Sequence, residues 1–363
     1  MHWEDDLSKA MLRHISNTDE FNITSLDITS GVGLLNTHKD AFWSMHQIPR
    51  TVSDKEDLNL YQFIALGNNF KNLKHLIIRD HGRKGIHHSI DGFKELVSSS
   101  ENLKHLEQLV LHSTTIGDEG IEYLCQSPYI TKLKELTLFC VGLTTTGAER
   151  LLHNVNMKNL TTLNISENNI GGEKFSVSQQ QNNEVLHNLT TLLIKKCMLD
   201  ESNAISLFQN STMSNLTTLH MAHNTITSKG VYFLSNSPYM SKLTDLDLSH
   251  CQIGDEGVQS LTHSPYIRNL TRLGISTNNI GDIGAQYIAS SENMIHLNSL
   301  DIYSHKMSHI GVLAIANSTM LRNLTSFHIS NTHIPYHKEA NEAIERMREK
   351  GIFVFGFISG FDY

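Results

Sequence analysis

An apolar pattern that returns about every 27 residues constrains this chain more than any other feature. Leu106, Leu109 and Leu111 form an L-x-x-L-x-L unit, which recurs from Leu133, Leu160, Leu189, Leu216, Leu243, Leu270, Leu297 and Leu324. Seven of the eight steps are 27 residues long, and the step from Leu160 to Leu189 is 29. An earlier copy opens at Leu73, a step of 33 residues before Leu106. A fixed period of this length predicts a solenoid, because one unit cannot hide its own apolar face and must stack on its neighbours.

Aligning the copies separates columns of different chemistry. Three residues before each opening leucine stands Ile130, Met157, Leu186, Met213, Met240, Ile267, Met294 or Leu321. Five residues after the last strand leucine stands Ile116, Leu143, Ile170, Leu199, Ile226, Ile253, Ile280, Met307 or Ile334. The L-x-L step has period two and predicts a short strand with one buried face. The pattern then turns helical: Gly120-Ile121-x-x-Leu124, Gly147-Ala148-x-x-Leu151, Gly230-Val231-x-x-Leu234, Gly257-Val258-x-x-Leu261 and Gly284-Ala285-x-x-Ile288. Asp118-Glu119, Asp255-Glu256 and Asp282 precede these segments, where carboxylates accept a helix's first free N–H groups. The repeated glycine is expected to let two backbones approach at the turn. Pro128, Pro238 and Pro265 share the position where a helix ends.

The pattern L-x-x-L-x-L-x-x-(N/C)-x-(L/I) resembles the leucine-rich repeat. Asn168, Cys197, Asn224, Cys251 and Asn278 fill its Asn/Cys position, while Thr114, Val141, His305 and Thr332 depart from it. The tail I-G-D-E-G-(I/V)-x-x-L is similar to the ribonuclease-inhibitor-like and cysteine-containing subtypes. The resemblance covers roughly residues 70 to 355 and implies an α/β fold. That fold is a right-handed leucine-rich-repeat solenoid (horseshoe) with parallel strands on the concave side and helices on the convex side. One uninterrupted array is expected: a cap or degenerate repeats over 1–70, about ten units over 71–334, and a capping helix with a closing strand over 335–363. Asp6 to Ile15 is a candidate helix and Ile23-x-x-Leu26-x-Ile28 a degenerate first strand. The aromatic tail Phe357, Phe361 and Tyr363 is assigned to the C-terminal cap.

A net charge of −8 and the lack of a basic run argue against nonspecific nucleic-acid binding. Cys125, Cys140, Cys197 and Cys251 form no disulfide framework, and Cys197 and Cys251 are expected to be reduced and buried. With an acidic start and no membrane-length apolar run, the chain is expected in the cytoplasm, or secreted into a host cell without a cleavable signal peptide. Asn159, Asn188, Asn215, Asn269 and Asn323 head Asn-x-Thr sequons, yet they are simply the residue before a repeat leucine.

Catalysis needs polar groups converging in a pocket, which an open array does not offer. His81, His87 and His88 match no zinc spacing. His223 and His250 occupy one column of adjacent units, and His220 and Asp247 another, so each pair is expected to meet. No nucleophile elbow, P-loop or dinucleotide fingerprint occurs, so neither catalysis nor a cofactor is expected. The free positions are the outward strand residues. Val110, His112, Phe139, Leu193, Lys195, His220, Asp247, Arg272, Asp301, Tyr303 and His328 are the candidate partner-binding residues. A polar stretch, Gln179 to Asn183, departs from the repeat on the helical side. The family resemblance implies a protein-binding scaffold. Its intracellular relatives include effectors delivered by bacterial pathogens, ubiquitin-ligase substrate adaptors and GTPase-regulating arrays.

Overall fold

A computed structural model describes residues 24–29, 64–65, 70–79, 89–172, 185–303, 306–329 and 337–356. The candidate N-terminal helix, the 81–88 histidines, the 179–183 stretch, His305, Thr332, Ile334 and the tail aromatics lie outside these residues. The chain forms two compact units, residues 1–170 with 183–188, and residues 171–182 with 189–363. The division falls inside the lengthened Leu160 to Leu189 step.

The first unit holds β1 (Ser25–Thr29), β2 (His75–Arg79), β3 (Gln108–His112), β4 (Glu135–Phe139) and β5 (Thr162–Asn164). Each pairs in parallel with the next, with Leu76 beside Leu109, Leu109 beside Leu136 and Leu136 beside Leu163. The degenerate first copy is a real strand, since Leu26 pairs with Leu76 and is buried. Helices α1 (Ile90–Ser99), α2 (Gly117–Gln126) and α3 (Thr145–Leu152) connect strands of this unit. The second unit holds β6 (Thr191–Leu193), β7 (Thr218–His220), β8 (Asp245–Asp247), β9 (Arg272–Gly274), β10 (Ser299–Asp301), β11 (Ser326–His328) and β12 (Phe353–Phe355), again parallel in chain order. Its helices are α4 (Glu201–Phe208), α5 (Thr227–Ser235), α6 (Gly254–Thr262), α7 (Asp282–Ser290), α8 (His309–Ala316) and α9 (Lys338–Glu349).

The core lies between strands and helices. Leu109, Leu136 and Leu163 are 1%, 0% and 0% exposed, and the described members of both apolar columns are buried as well. Each such side chain contributes roughly 1.5–3 kcal/mol on full burial. The helices bury the predicted face: α6 turns in Gly257, Val258 and Leu261, and α7 turns in Gly284, Ala285 and Ile288.

Three polar ladders join successive units. Asn278 is fully buried and bridges two turns. Its Oδ1 accepts from Cys251 N (2.7 Å) and Ile253 N (3.4 Å), while its Nδ2 donates to Leu248 O (2.7 Å) and Ile275 O (2.9 Å). Asn168 and Asn224 make the same set in their own repeats. Cys251 reproduces only the donor half, Sγ to Met221 O at 3.3 Å. Just before these positions the backbone is left-handed, with φ between 51° and 59° at Ser113, Cys140, Glu167, Lys196, His223, His250 and Thr277. The second ladder was not read from the sequence, although it has the same period. Ser127, Ser237, Ser264, Ser291 and Ser318 donate their hydroxyls to a carbonyl of the preceding helix, and Asn154 does so through Nδ2. The strand is also reached through a short 3₁₀ turn in several units, with Pro238 opening one of them.

The third ladder corrects two expectations. The aspartates cap the next helix rather than their own. Asp255 Oδ1 accepts from Gly281 N (2.8 Å) and Gly284 N (3.1 Å), and Asp282 Oδ1 accepts from Ser308 N and Gly311 N, both at 2.8 Å. Asp118 likewise accepts from Thr144 N at 2.8 Å. The repeated glycine therefore clears side chains, not a second backbone. A Cβ on Gly284 would stand 2.5 Å from Asp255 Oδ1 and 2.6 Å from Ile280 Cγ2, and Gly147 faces Asp118 and Leu143 in the same way.

Candidate interaction surface

Because strand residues alternate, those between the core leucines share the outward face. In the first unit Val110 is half-buried in register with Ile77 and Thr137. Phe139 lies flat on His112, with ring centroids 4.4 Å apart and planes 14° from parallel. Both rings are only part-exposed, so the apolar area on this face is smaller than the sequence implies.

In the second unit the outward face is a set of ordered ionic contacts. Lys195 Nζ reaches Asp247 Oδ2 at 2.7 Å, two strands away. Buried Ala222, the residue between Lys195 and Ser249 in that column, keeps the path low. On the other side of Asp247, Gly274 leaves the carboxylate room, since a Cβ there would stand 3.0 Å from Oδ1. Burial raises the Asp247 pKa, but hydrogen bonds from Lys195 and Ser249 outweigh it and hold the carboxyl below its ordinary value.

The expected contact of His220 with Asp247 is replaced by another. The two residues are register partners, but Asp247 is engaged by Lys195 and Ser249. His220 Nε2 instead meets Asp245 Oδ1 at 3.0 Å, and Arg272 Nε meets the other oxygen of Asp245 at 3.4 Å. Further along, Asp301 accepts from the Ser276 hydroxyl and meets His328 Nδ1 at 3.1 Å. The Tyr303 and His328 rings are 5.8 Å apart. Leu193 is half-buried in register with His220. Of the eleven candidates only Arg272 is exposed; the rest are half-buried.

His223 and His250 do meet, with ring centroids 4.0 Å apart and planes 15° from parallel. Burial, then the neighbouring His250, pushes the His223 pKa down. An imidazole nitrogen offers its lone pair in the ring plane, so two parallel rings present poor geometry for one metal ion. Among the described residues no three His, Cys, Asp or Glu are grouped to hold a metal. Cys197 and Cys251 are buried and outside any disulfide, and burial pushes the Cys251 thiol up to about 12. Asn159, Asn188, Asn269 and Asn323 donate Nδ2 to a backbone oxygen of the preceding unit at 2.7–3.2 Å, which accounts for the sequon column. Among the described residues no helix is long and apolar enough to cross a membrane.

Parallel strands in chain order, helices between them and an Asn/Cys residue at five of the turns define a leucine-rich-repeat solenoid. The Leucine Rich repeat family profile matches residues 102–125, 156–173, 212–235, 239–261 and 266–289. Among solved structures, the chain is similar to the yeast Rad7 and Elc1 complex, at 16% identity over 78% of this chain and 81% of that one, with a TM-score of 0.42. It is also similar to an internalin, inlF, from Listeria monocytogenes str. 4b F2365, at 18% identity over 74% and 78%, with a TM-score of 0.37. No curated protein matches the sequence.

Proposed function

We propose that this chain is a non-enzymatic scaffold that binds a protein partner through its outward strand faces. The observation that carries this reading is the fixed charge arrangement of the second unit. Lys195–Asp247 and His220–Asp245–Arg272 are held by one another and by the small residues Ala222 and Gly274, while Arg272 and Tyr303 remain accessible in part. Side chains ordered before docking lose little entropy on docking, and Arg and Tyr are favoured at the energetic centre of interfaces. The inward columns serve the core; the outward ones do not. Free buried thiols at Cys125, Cys197 and Cys251 support a reducing, cytoplasmic setting for that role.

The test is affinity capture from lysate with the wild type, a Phe139→Ala/Tyr303→Ala variant and an Arg272→Glu variant, all with matched urea midpoints. The reading expects a specific interactor that the variants lose. An interactor retained equally by both variants would move the binding surface elsewhere.

A further inference from the structure

The edge of the first unit where the strands begin is enriched in lysine: three repeat columns there carry six lysines, where the second unit carries Lys242, Arg268 and Arg322. In the second unit the residue after each opening leucine is Thr190, Thr217, Thr244, Thr271, Asn298 or Thr325. Threonine hydroxyls in this column donate to the preceding unit's backbone, as Thr271 does to Thr244 O at 3.0 Å and Thr325 to Asn298 O at 3.0 Å. In the first unit the same column holds Lys74, Glu107, Lys134 and Thr161. One residue before the leucine, where Asn159 and Asn188 tie repeats together, stand His105 and Lys132 in the first unit and Lys242 and His296 in the second. One position earlier stand Lys71, Lys104 and Lys158, against Arg268 and Arg322 in the second unit. A lysine in the first two columns gives up a link that the fold uses elsewhere.

These six lysines are all exposed. The carboxylates among them are already engaged: Glu107 with Lys134 at 2.7 Å, Glu101 with Lys104 at 3.9 Å, and Glu135 with the Gln108 amide at 2.7 Å. Lys71, Lys74 and Lys158 have no ion-pair partner among the described residues, and Lys132 touches only His105, at 3.3 Å. The hydrogen bond and charge of Lys134, with a further pull from Lys74 and His75, hold Glu107 below the usual carboxylate range. The edge is thus locally positive on a chain whose net charge is −8. No basic run betrays it, because the lysines are brought together by the repeat spacing.

We propose that this lysine edge docks an acidic, extended segment of a protein partner. Neighbouring strands lie about 4.8 Å apart, so lysines one or two strands apart stand about 5–10 Å from each other. Alternate side chains of an extended peptide are spaced about 6.5–7 Å and fall in that range. Glu101, Glu107 and Glu135 are interleaved with the lysines and would oppose a continuous phosphate backbone. Among these edge residues His105 is the one ring, already in contact with Lys132, so the edge lacks the series of stacking platforms that single-stranded nucleic acid would use. The surface is separate from the outward strand face, so either can fail without the other.

The test is fluorescence anisotropy of a labelled Asp/Glu-rich peptide with the full chain at rising salt. Two triple charge reversals of matched net charge serve as comparison. Lys71→Glu/Lys132→Glu/Lys158→Glu should weaken binding roughly tenfold or more. Lys229→Glu/Lys338→Glu/Lys350→Glu, exposed positions of the second unit, should change it less than about twofold. Equal loss in both variants would reduce the effect to net charge and overturn the proposal. So would an absence of binding at low salt, or tighter binding of an oligo-dT of the same charge.

Discussion

Replacing Asn278 by alanine removes both halves of one ladder rung. The Cys251 N–H, now bonded at 2.7 Å, would be left in a site with no exposure, and the carbonyls of Leu248 and Ile275 would lose their donors. A buried donor without a partner costs about 1–3 kcal/mol, and the carbonyls add less because each has a second lone pair. The bond to Ile253 N, at 3.4 Å, adds little. Asn278→Ala should therefore lose about 3–4 kcal/mol. Asn278→Cys should cost about half as much, since Cys251 keeps the donor half through Met221 O. Urea unfolding followed by far-UV circular dichroism measures both, with the m-value checked because adjacent repeats couple and can unfold in parts. A loss below about 1 kcal/mol for the alanine variant, or equal losses for both, would refute the account of the ladder.

Gly284→Ala should destabilise by about 1–3 kcal/mol despite alanine's helix propensity, because the added Cβ meets Asp255 and Ile280; a rise in melting temperature would contradict this. Thr114→Val should stabilise by about 1 kcal/mol, as the Thr114 hydroxyl is buried with no hydrogen-bond partner, and calorimetry would show it. His223 has a lowered folded pKa, so the unfolded chain binds more protons as pH falls through the ordinary value near 6.5 and stability drops there. His223→Gln should flatten that drop between about pH 7 and 5, and an unchanged slope would remove His223 as its source.

The strands and their register were legible because burial forces apolar residues into columns that no surface pressure scrambles. The Leu26 strand was readable for the same reason. The ends of the hydrogen bonds were harder. Asp255 looks like a cap on α6, and only the stacking of units shows that the free N–H groups nearest to it belong to α7. His220 and Asp247 share a rung, but which carboxylate a histidine meets depends on a lysine two strands away. The serine ladder did carry a signal, since Ser127, Ser237, Ser264, Ser291 and Ser318 repeat in phase with the leucines. The lysine edge stays hidden until residues about 27 apart are laid side by side.

The Asp rungs reach forward along the chain and the Asn and Ser rungs reach back, so a repeat that carries them is finished by both neighbours. Deleting one whole module lets its former neighbours rejoin with every bond partner in phase. Removing one residue fewer would misalign all three kinds of rung at once. Length can therefore change by whole modules and hardly at all by fractions of one, and a chain cut mid-array exposes half-made turns at the wound.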